Sequence, residues 1–340
     1  MRRLFAIAVA VGAVSASGAL LGEEGGNRFL HHGDRGETIH VLPPAAAVRT
    51  AHDPDPLFAP PASGATVYRA SYGSRRLLDH GGLEMSNAGF WAVYWNSAIA
   101  GSSATSNSTS THYADLQSQM SAFIASFADN KNYSSADKRA DYTIIQQYGT
   151  HAPIANSLAS FGAFVDTQHD GQTTPSSISD TGLQSYLASL FNSGVLTPSS
   201  NIIYGMYLPD GLTVTMGADA SCSTFCGYHS VFSYGGLQIK YAVFPFLNCA
   251  ACSLSGLTVG DMLTIVTSHE IREAVTDPGD FGQYAWYDAS GYEADDKCAW
   301  HNLYQMSNGR FWVQPEFSNG GTVTASGFRA TYPGSGCIVP

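Results

Sequence analysis

The chain carries little charge, and most of that charge is negative. Only 13% of its 340 residues are charged, with 16 Lys or Arg against 27 Asp or Glu, which gives a formal net charge of -11. Nucleic acids and anionic membrane surfaces attract proteins that cluster Lys and Arg. The composition therefore argues against both as partners. The hydrophobic content of 44% is enough for a full core in one large domain or two.

Long apolar runs are also missing. The run from Leu4 to Val14 is too short for a membrane helix, which needs ~20 apolar residues, and no later stretch approaches that length. The run follows Arg2 and Arg3 and precedes the small residues at 16–19, which is typical of a secretory signal peptide. We therefore expect a signal peptide over residues 1–19, secretion to the extracellular space and no membrane span. The oligomeric state is left open.

Cysteine is absent before position 222. The six cysteines are Cys222, Cys226, Cys249, Cys252, Cys298 and Cys337. An even number in an exported chain favours three disulfides, although the sequence does not fix their connectivity. A zinc site of four thiolates is the alternative, because the short spacings within the first two pairs suit that metal.

Residues 20–76 lack sustained periodicity and are rich in Pro, Gly, Ala and His. This composition is typical of a linker or a propeptide, so the structured domain is expected over residues 77–340. The histidines of this segment are set aside as ligand candidates: His31, His32, His40 and His52.

Strand and helix patterns alternate from Phe90 onward. Strands are predicted at 90–96, 161–167, 201–208 and 212–216, followed by a hairpin formed by 229–234 and 237–246. Helices are predicted at 111–130, 137–149, 179–194 and 258–276. This order indicates an α/β layer arrangement.

The last of these helices contains the motif His269-Glu270-x-x-Glu273. Residues four positions apart lie one above the other on a helix, so His269 and Glu273 can reach the same ion while Glu270 flanks it. A metallopeptidase helix has this arrangement, with the intervening Glu as general base, but it carries a second His where this chain has Glu273. A carboxylate is also a zinc ligand, and it acidifies bound water less.

A third ligand candidate follows the helix. Glu293 lies 20 residues beyond Glu273, a spacing that resembles the thermolysin-like, Glu-ligated zincins. Asp295 and Asp296 are candidates to orient the ring of His269 through its other nitrogen. The predicted site therefore contains zinc, with another divalent metal as an alternative, held by His269, Glu273 and Glu293. We predict an α/β (α+β) zincin-like fold with a mixed sheet, an active-site helix and a disulfide-stabilised C-terminal part.

Hydrolysis also needs groups that stabilise an oxyanion and protonate the leaving group. Tyr287, His301 and His229 are the candidates, beside Glu270 as general base. Two other interpretations remain open at this point. The motif can be a half-buried His beside a solvated acidic face, or Glu270 and Glu293 can be the paired acids of a glycosidase. A Gly-x-Ser-x-Gly elbow is not evident, which argues against a serine nucleophile.

Several segments together resemble the plant EXORDIUM, or phosphate-induced, protein family and its bacterial relatives. They are, in order, DHGGLEMSNAGFWAVYWN (79–96), CGYHS (226–230), CAACS (249–253), SHEIREAVTDP (268–278), AWYDASGYEADDKC (285–298) and Cys337. The resemblance implies an extracellular protein, and it covers the positions of His229, His269, Glu270, Glu273, Glu293 and Asp296. Asp277 departs from the plant pattern, which has Asn there. The family is associated with growth responses and is not known for an enzymatic activity.

The expected function is that of a secreted zinc-dependent peptidase acting on a peptide or protein substrate. The alternative is a non-catalytic extracellular protein that binds a cell-wall or surface partner and has a structural metal site or none.

Overall fold

The structure is a computed structural model that describes residues 27–49, 56–60, 66–73, 76–106, 112–127, 142–155, 157–279, 283–306, 311–325, 328–332 and 334–339. The expected signal peptide over residues 1–19 lies outside the described residues.

The elements are numbered in chain order. The strands are β1 (Leu30–His32), β2 (Thr38–Leu42), β3 (Thr66–Tyr68), β4 (Leu78–Asp79), β5 (Gly89–Tyr94), β6 (Ala159–Val165), β7 (Ser177–Ser179), β8 (Ile202–Tyr207), β9 (Thr213–Met216), β10 (Asp219–Ala220), β11 (Gly227–Tyr234), β12 (Leu237–Phe244), β13 (Trp286–Tyr287), β14 (Tyr304–Gln305), β15 (Trp312–Val313), β16 (Glu316–Ser318), β17 (Gly321–Ala325), β18 (Phe328–Tyr332) and β19 (Gly336–Val339). The α-helices are α1 (Ala45–Val48), α2 (Ser97–Ala100), α3 (Leu116–Phe127), α4 (Asp180–Asn192) and α5 (Val259–Thr276), and 3-10 helices span Thr143–Tyr148, Thr167–His169 and Asp296–Cys298.

A seven-stranded sheet forms the centre of the fold, in the order β1-β2-β11-β12-β8-β5-β6. Strands β1, β2, β11 and β12 pair antiparallel, whereas β12, β8, β5 and β6 pair parallel. Parallel neighbours need crossover connections, and helices α2, α3 and α4 lie in the connections between β5, β6 and β8. The predicted α/β class with a mixed sheet is confirmed.

The N-terminal segment does not behave as a linker over its described part. Strand β2 pairs with β11, and its side chains Ile39, Val41 and Leu42 are at most 1% exposed. The sequence Thr-Ile-His-Val-Leu is a short run rich in β-branched residues, which favours a strand. The many Pro and Gly residues around it favour a linker, so the strand was not predicted. Residues 30–42 are therefore part of the central sheet. Removal of part of residues 20–76 as a propeptide stays a prediction.

Helix α5 is buried on all sides. A capping box formed by Thr258 and Asp261 begins it, and it ends at Thr276, two residues before Pro278. The helix packs against β11 and β12 on one side and contacts α3 and β15 elsewhere. A side chain at Gly227 of β11 would clash with Val266, so this glycine permits the close approach of helix and strand. The polar side chains of α5 consequently face the protein interior.

Most of the other predicted elements also form, and one differs in type. The helix predicted at 137–149 is a 3-10 helix over Thr143–Tyr148, and residues 137–141 lie outside the described part. The hairpin is β11 and β12, which turn at Gly235 and Gly236, both with positive φ. None of the described helices is long and apolar enough to cross a membrane.

The six cysteines form three disulfides, which excludes the alternative zinc site of four thiolates. They join Cys222 to Cys249, Cys226 to Cys252 and Cys298 to Cys337. The first two connect the loop before β11 to the loop after β12, and the third attaches β19 to the 3-10 helix Asp296–Cys298. Bonded sulfurs do not act as thiolate ligands, so the prediction of three disulfides is confirmed. Disulfides of this number are consistent with an extracellular protein.

Candidate metal centre

Helix α5 and the loop before β14 bring three of the predicted site residues together. His269 Nε2 lies 3.0 Å from Glu273 Oε2 and 3.7 Å from Asp296 Oδ1. Ligands bonded to one zinc ion at about 2.1 Å are separated by about 3.4 Å in a tetrahedral site, so these spacings fit a shared ion. Asp296 was expected to orient the ring of His269, and its position next to Nε2 makes it a ligand candidate instead.

Glu273 holds the loop against the helix. Its Oε1 accepts hydrogen bonds from the backbone N–H groups of Asp295 at 3.1 Å and Asp296 at 2.8 Å. These bonds leave Oε2 directed at His269. The loop in turn is closed by Asp296 Oδ2, which accepts from the backbone N–H of Glu293 at 3.0 Å. One carboxylate of α5 therefore fixes the position of the segment that carries Glu293 and Asp296.

Strand β11 adds His229 to the same cluster. Its Nδ1 lies 3.1 Å from Glu270 Oε2 and its Nε2 lies 3.7 Å from Glu293 Oε2. A metal-binding histidine commonly donates its other N–H to a carboxylate, and Glu270 is placed for that bond. His229 was predicted as a catalytic group, whereas this geometry also qualifies it as a ligand.

Strand β2 contributes a residue that the sequence did not indicate. His40 is fully buried, and its Nδ1 lies 3.3 Å from Glu293 Oε1 and 3.2 Å from Asp296 Oδ2. The register of β2 against β11 places His40 directly opposite His229. The composition of its segment is typical of a linker, which argues against His40 as a ligand from the sequence alone. The run Thr38–Leu42 was the signal that could have identified it as a strand residue.

The ring of His269 is oriented by Gln314 and not by an aspartate. The side-chain amide of Gln314 lies within 3.3 Å of Nδ1 and also donates to the backbone carbonyl of Asp295 at 2.6 Å. Asp295 instead pairs with Arg272, whose Nη2 lies 2.6 Å from Oδ2. The amide nitrogen of Gln314 lies 3.1 Å from Nδ1 and its oxygen lies 3.3 Å away. In the tautomer with the proton on Nδ1, this nitrogen donates to the Gln314 oxygen and the lone pair of Nε2 is available to a metal.

The cluster is closed to solvent and rich in polar atoms that lack hydrogen-bond partners. Its residues His229, His269, Glu270, Glu273, Glu293 and Asp296 are at most 3% exposed. Within the described part of the chain, the buried atoms that lack a hydrogen-bond partner include His229 Nε2, Glu270 Oε1, Glu273 Oε2, both carboxylate oxygens of Glu293, and Asp296 Oδ1. Buried polar atoms are rarely left in this state without a bound ion or water. The solvated acidic face considered from the sequence is therefore wrong.

The positive side chains nearby are directed at other carboxylates. Among the ion pairs of the described residues, Arg272 binds Asp295 and lies 3.8 Å from Glu316, and Lys297 binds Asp288 at 2.8 Å. The four carboxylates of the cluster gain little compensation from them.

Burial has opposite effects on the acids and on the imidazole. It raises the pKa of Glu270, Glu273 and Glu293 well above the usual carboxyl range, and neighbouring carboxylates raise all three further. Burial also lowers the pKa of His229 well below its usual range, helped by the nearby rings of His40 and His269. A bound cation would favour the ionised acids and the neutral imidazole, which are the forms that bind metals.

The other two predicted catalytic residues have their described contacts elsewhere. Tyr287 lies on β13, where its ring stacks on His80 with centroids 3.5 Å apart. His301 is buried, and its Nδ1 lies 2.7 Å from the backbone carbonyl of Ala299 and 3.4 Å from the hydroxyl of Tyr72. Their catalytic roles stay predictions.

We expect the metal-free protein to become less stable as the pH rises. In the unfolded chain Glu270, Glu273 and Glu293 titrate near 4.5, and their folded-state pKa values are higher. Their contribution to stability is therefore complete below pH 4.5 and is lost as the pH rises through the raised values. His229 acts in the opposite direction below its ordinary value of 6.5, but three acids outweigh one imidazole.

Thermal unfolding in chelator, from about pH 5 to about pH 9, measures this slope, and saturating zinc should flatten it. A melting temperature that rises with pH in chelator would contradict the expectation.

Comparison with known proteins yields no relative. No protein-family model matches the chain, and no curated protein or solved structure matches it either. The interpretation of the site therefore depends on its own geometry.

Proposed function

We propose that the protein is a secreted, zinc-dependent hydrolase that cleaves peptide bonds. The observation that carries the proposal is the buried cluster on α5, where His269 Nε2 and Glu273 Oε2 face each other at 3.0 Å beside Asp296. Imidazole and carboxylate donors at these spacings suit zinc. The buried polar atoms that lack hydrogen bonds within the described residues also support a bound ion. Another divalent metal that accepts the same donors is the alternative.

The residues of the chain divide the work in this proposal. His269, Glu273 and Asp296 would hold the metal, and Glu293 lies on the other side of the cluster near His229. A bound zinc ion lowers the pKa of its water and polarises a substrate carbonyl. Glu270 would be the general base in such a site, with Oε1 as the available oxygen because Oε2 is engaged with His229.

We further propose that the arrangement of α5 on the mixed sheet is zincin-like and that the chain is a relative of the EXORDIUM family. The order of the motifs along the chain supports the second point, and the buried His-Glu-x-x-Glu helix supports the first.

A second candidate function follows from the burial of the cluster. At no more than 3% exposure, the ligand candidates are out of reach of a substrate in this conformation. An ion held there without access to substrate would be structural, as in an extracellular protein that acts by binding a cell-wall or surface partner. Hydrolysis requires a conformational change that exposes the cluster to substrate.

The two candidates separate in a cleavage assay with a broad peptide library. We expect the secreted protein to cleave a subset of peptides, to stop in chelator and to recover on addition of zinc. A protein that binds zinc, gains thermal stability from it and cleaves none of the peptides would favour the structural role. A folded protein that takes up no metal would contradict both.

A further inference from the structure

The cluster contains more ligand groups than one ion needs. A catalytic zinc uses three protein ligands and leaves a position open. This interior holds seven candidate side chains: His40, His229, His269, Glu270, Glu273, Glu293 and Asp296. They come from β2, β11, α5 and the loop before β14, and they divide into two groups around Asp296.

The first group is the ion site already described. It consists of His269 Nε2 with two carboxylate oxygens, Glu273 Oε2 at 3.0 Å and Asp296 Oδ1 at 3.7 Å from that nitrogen. The second group lies on the other side of the Asp296 carboxylate. His40 Nδ1 is 3.2 Å from Asp296 Oδ2 and 3.3 Å from Glu293 Oε1, and Glu293 Oε2 is 3.7 Å from His229 Nε2.

The second group has its own indication of a ligand. His229 Nε2 and both oxygens of Glu293 are buried and have no hydrogen bond to any residue that the structure describes. His229 is also preset for an ion on this side, because Glu270 accepts from its Nδ1 at 3.1 Å and leaves the Nε2 lone pair facing Glu293.

The negative charge of the interior also favours two bound ions. Glu270, Glu273, Glu293 and Asp296 carry four negative charges when ionised, and metal-bound imidazoles are neutral. With a single divalent cation, two of these carboxyls would either stay charged in a volume without solvent, which is costly, or keep a proton. Two divalent cations would balance all four.

We propose that the cluster binds two divalent cations bridged by the Asp296 carboxylate, the first held by His269 and Glu273 and the second by His40, His229 and Glu293. This proposal rests on the proposed function for the first ion and extends it. In two-metal hydrolases the ions lie about 3.5–4 Å apart and stabilise both sides of the displacement, a spacing that the two oxygens of one carboxylate can bridge. Strand β2 is then an essential part of the centre, since it supplies His40.

The test is the zinc content of the full secreted chain after dialysis against zinc chloride and removal of the excess. We expect two equivalents in the unchanged protein and one in His229→Asn and in His40→Asn. The control His151→Asn removes a histidine that is 35% exposed and lies outside the cluster, and it should keep two.

The outcomes separate this proposal from the proposed function. One equivalent in the unchanged protein overturns the second ion and leaves the first intact, whereas none overturns both. Two equivalents in His229→Asn and His40→Asn would overturn the assignment of ligands. Because these buried variants can fail to fold, the unchanged protein loaded with Mn²⁺ gives an independent measurement. An exchange-coupled electron paramagnetic resonance spectrum supports the bridged pair, and a spectrum of isolated ions contradicts it.

Discussion

Glu270→Gln is expected to abolish turnover and to leave the metal bound. Glutamine keeps the size of the side chain and can still accept from His229 Nδ1, now 3.1 Å from Glu270 Oε2, but it cannot take a proton from water. Loss of a general base lowers the rate by about 10²–10⁴-fold. The measurement is kcat/KM on a peptide identified in the library assay, together with the zinc content of the same sample.

A matched control is Glu37→Gln, the same chemical change at a glutamate paired with Arg35 outside the cluster. It should retain full activity. If Glu270→Gln still turns over substrate at the original rate, Glu270 is not the base. If the variant loses zinc, then Glu270 is a ligand and the division of roles proposed above is wrong.

Arg272→Met is expected to cause the largest loss of stability. The guanidinium is fully buried, bonds to Asp295 at 2.6 Å and donates to the backbone carbonyl of Gln314 at 2.9 Å. Methionine fills part of the volume but leaves Asp295 and Glu316 buried without their cation. Removing one partner of a buried pair costs about 3–5 kcal/mol. Denaturant unfolding in saturating zinc measures the difference.

The matched control for this change is Arg35→Gln. Arg35 is 60% exposed and its pair with Glu37 spans 3.6 Å, so the change should cost less than about 1 kcal/mol. The variant Arg272→Lys separates charge from geometry, because lysine keeps the charge without the planar fork. An Arg272→Met protein as stable as Arg35→Gln would show that the pair contributes nothing.

Local signals sufficed for much of the fold. The capping pair at Thr258 and Asp261 and the proline at 278 gave the bounds of α5 within a residue. The two glycines at 235 and 236 located the β11–β12 hairpin. The pairing of β2 with β11 was missed because it joins residues far apart in the chain, and sheet register depends on packing that no short window contains.

In the candidate site, too, local sequence signals predict some residues, whereas contacts between distant segments determine the others. His269, Glu270 and Glu273 share one helix, so helical periodicity alone places them together. Glu293 and Asp296 could be proposed from spacing, but which of them is nearer His269 depends on the bonds that Glu273 Oε1 makes to the loop backbone. Gln314 carries no metal-ligand signature, so its role as the partner of His269 was visible only in the structure.

The separation of His40 and Asp296 along the chain has a consequence for the order of folding. Their side chains meet across 256 positions, and His229 lies opposite His40 on the neighbouring strand. A contact of such long range forms only after the intervening chain has closed, and the unfolded chain holds no preformed site. An ion bound at this cluster would therefore be acquired late in folding, and a chain that crosses a membrane unfolded would take it up on the far side.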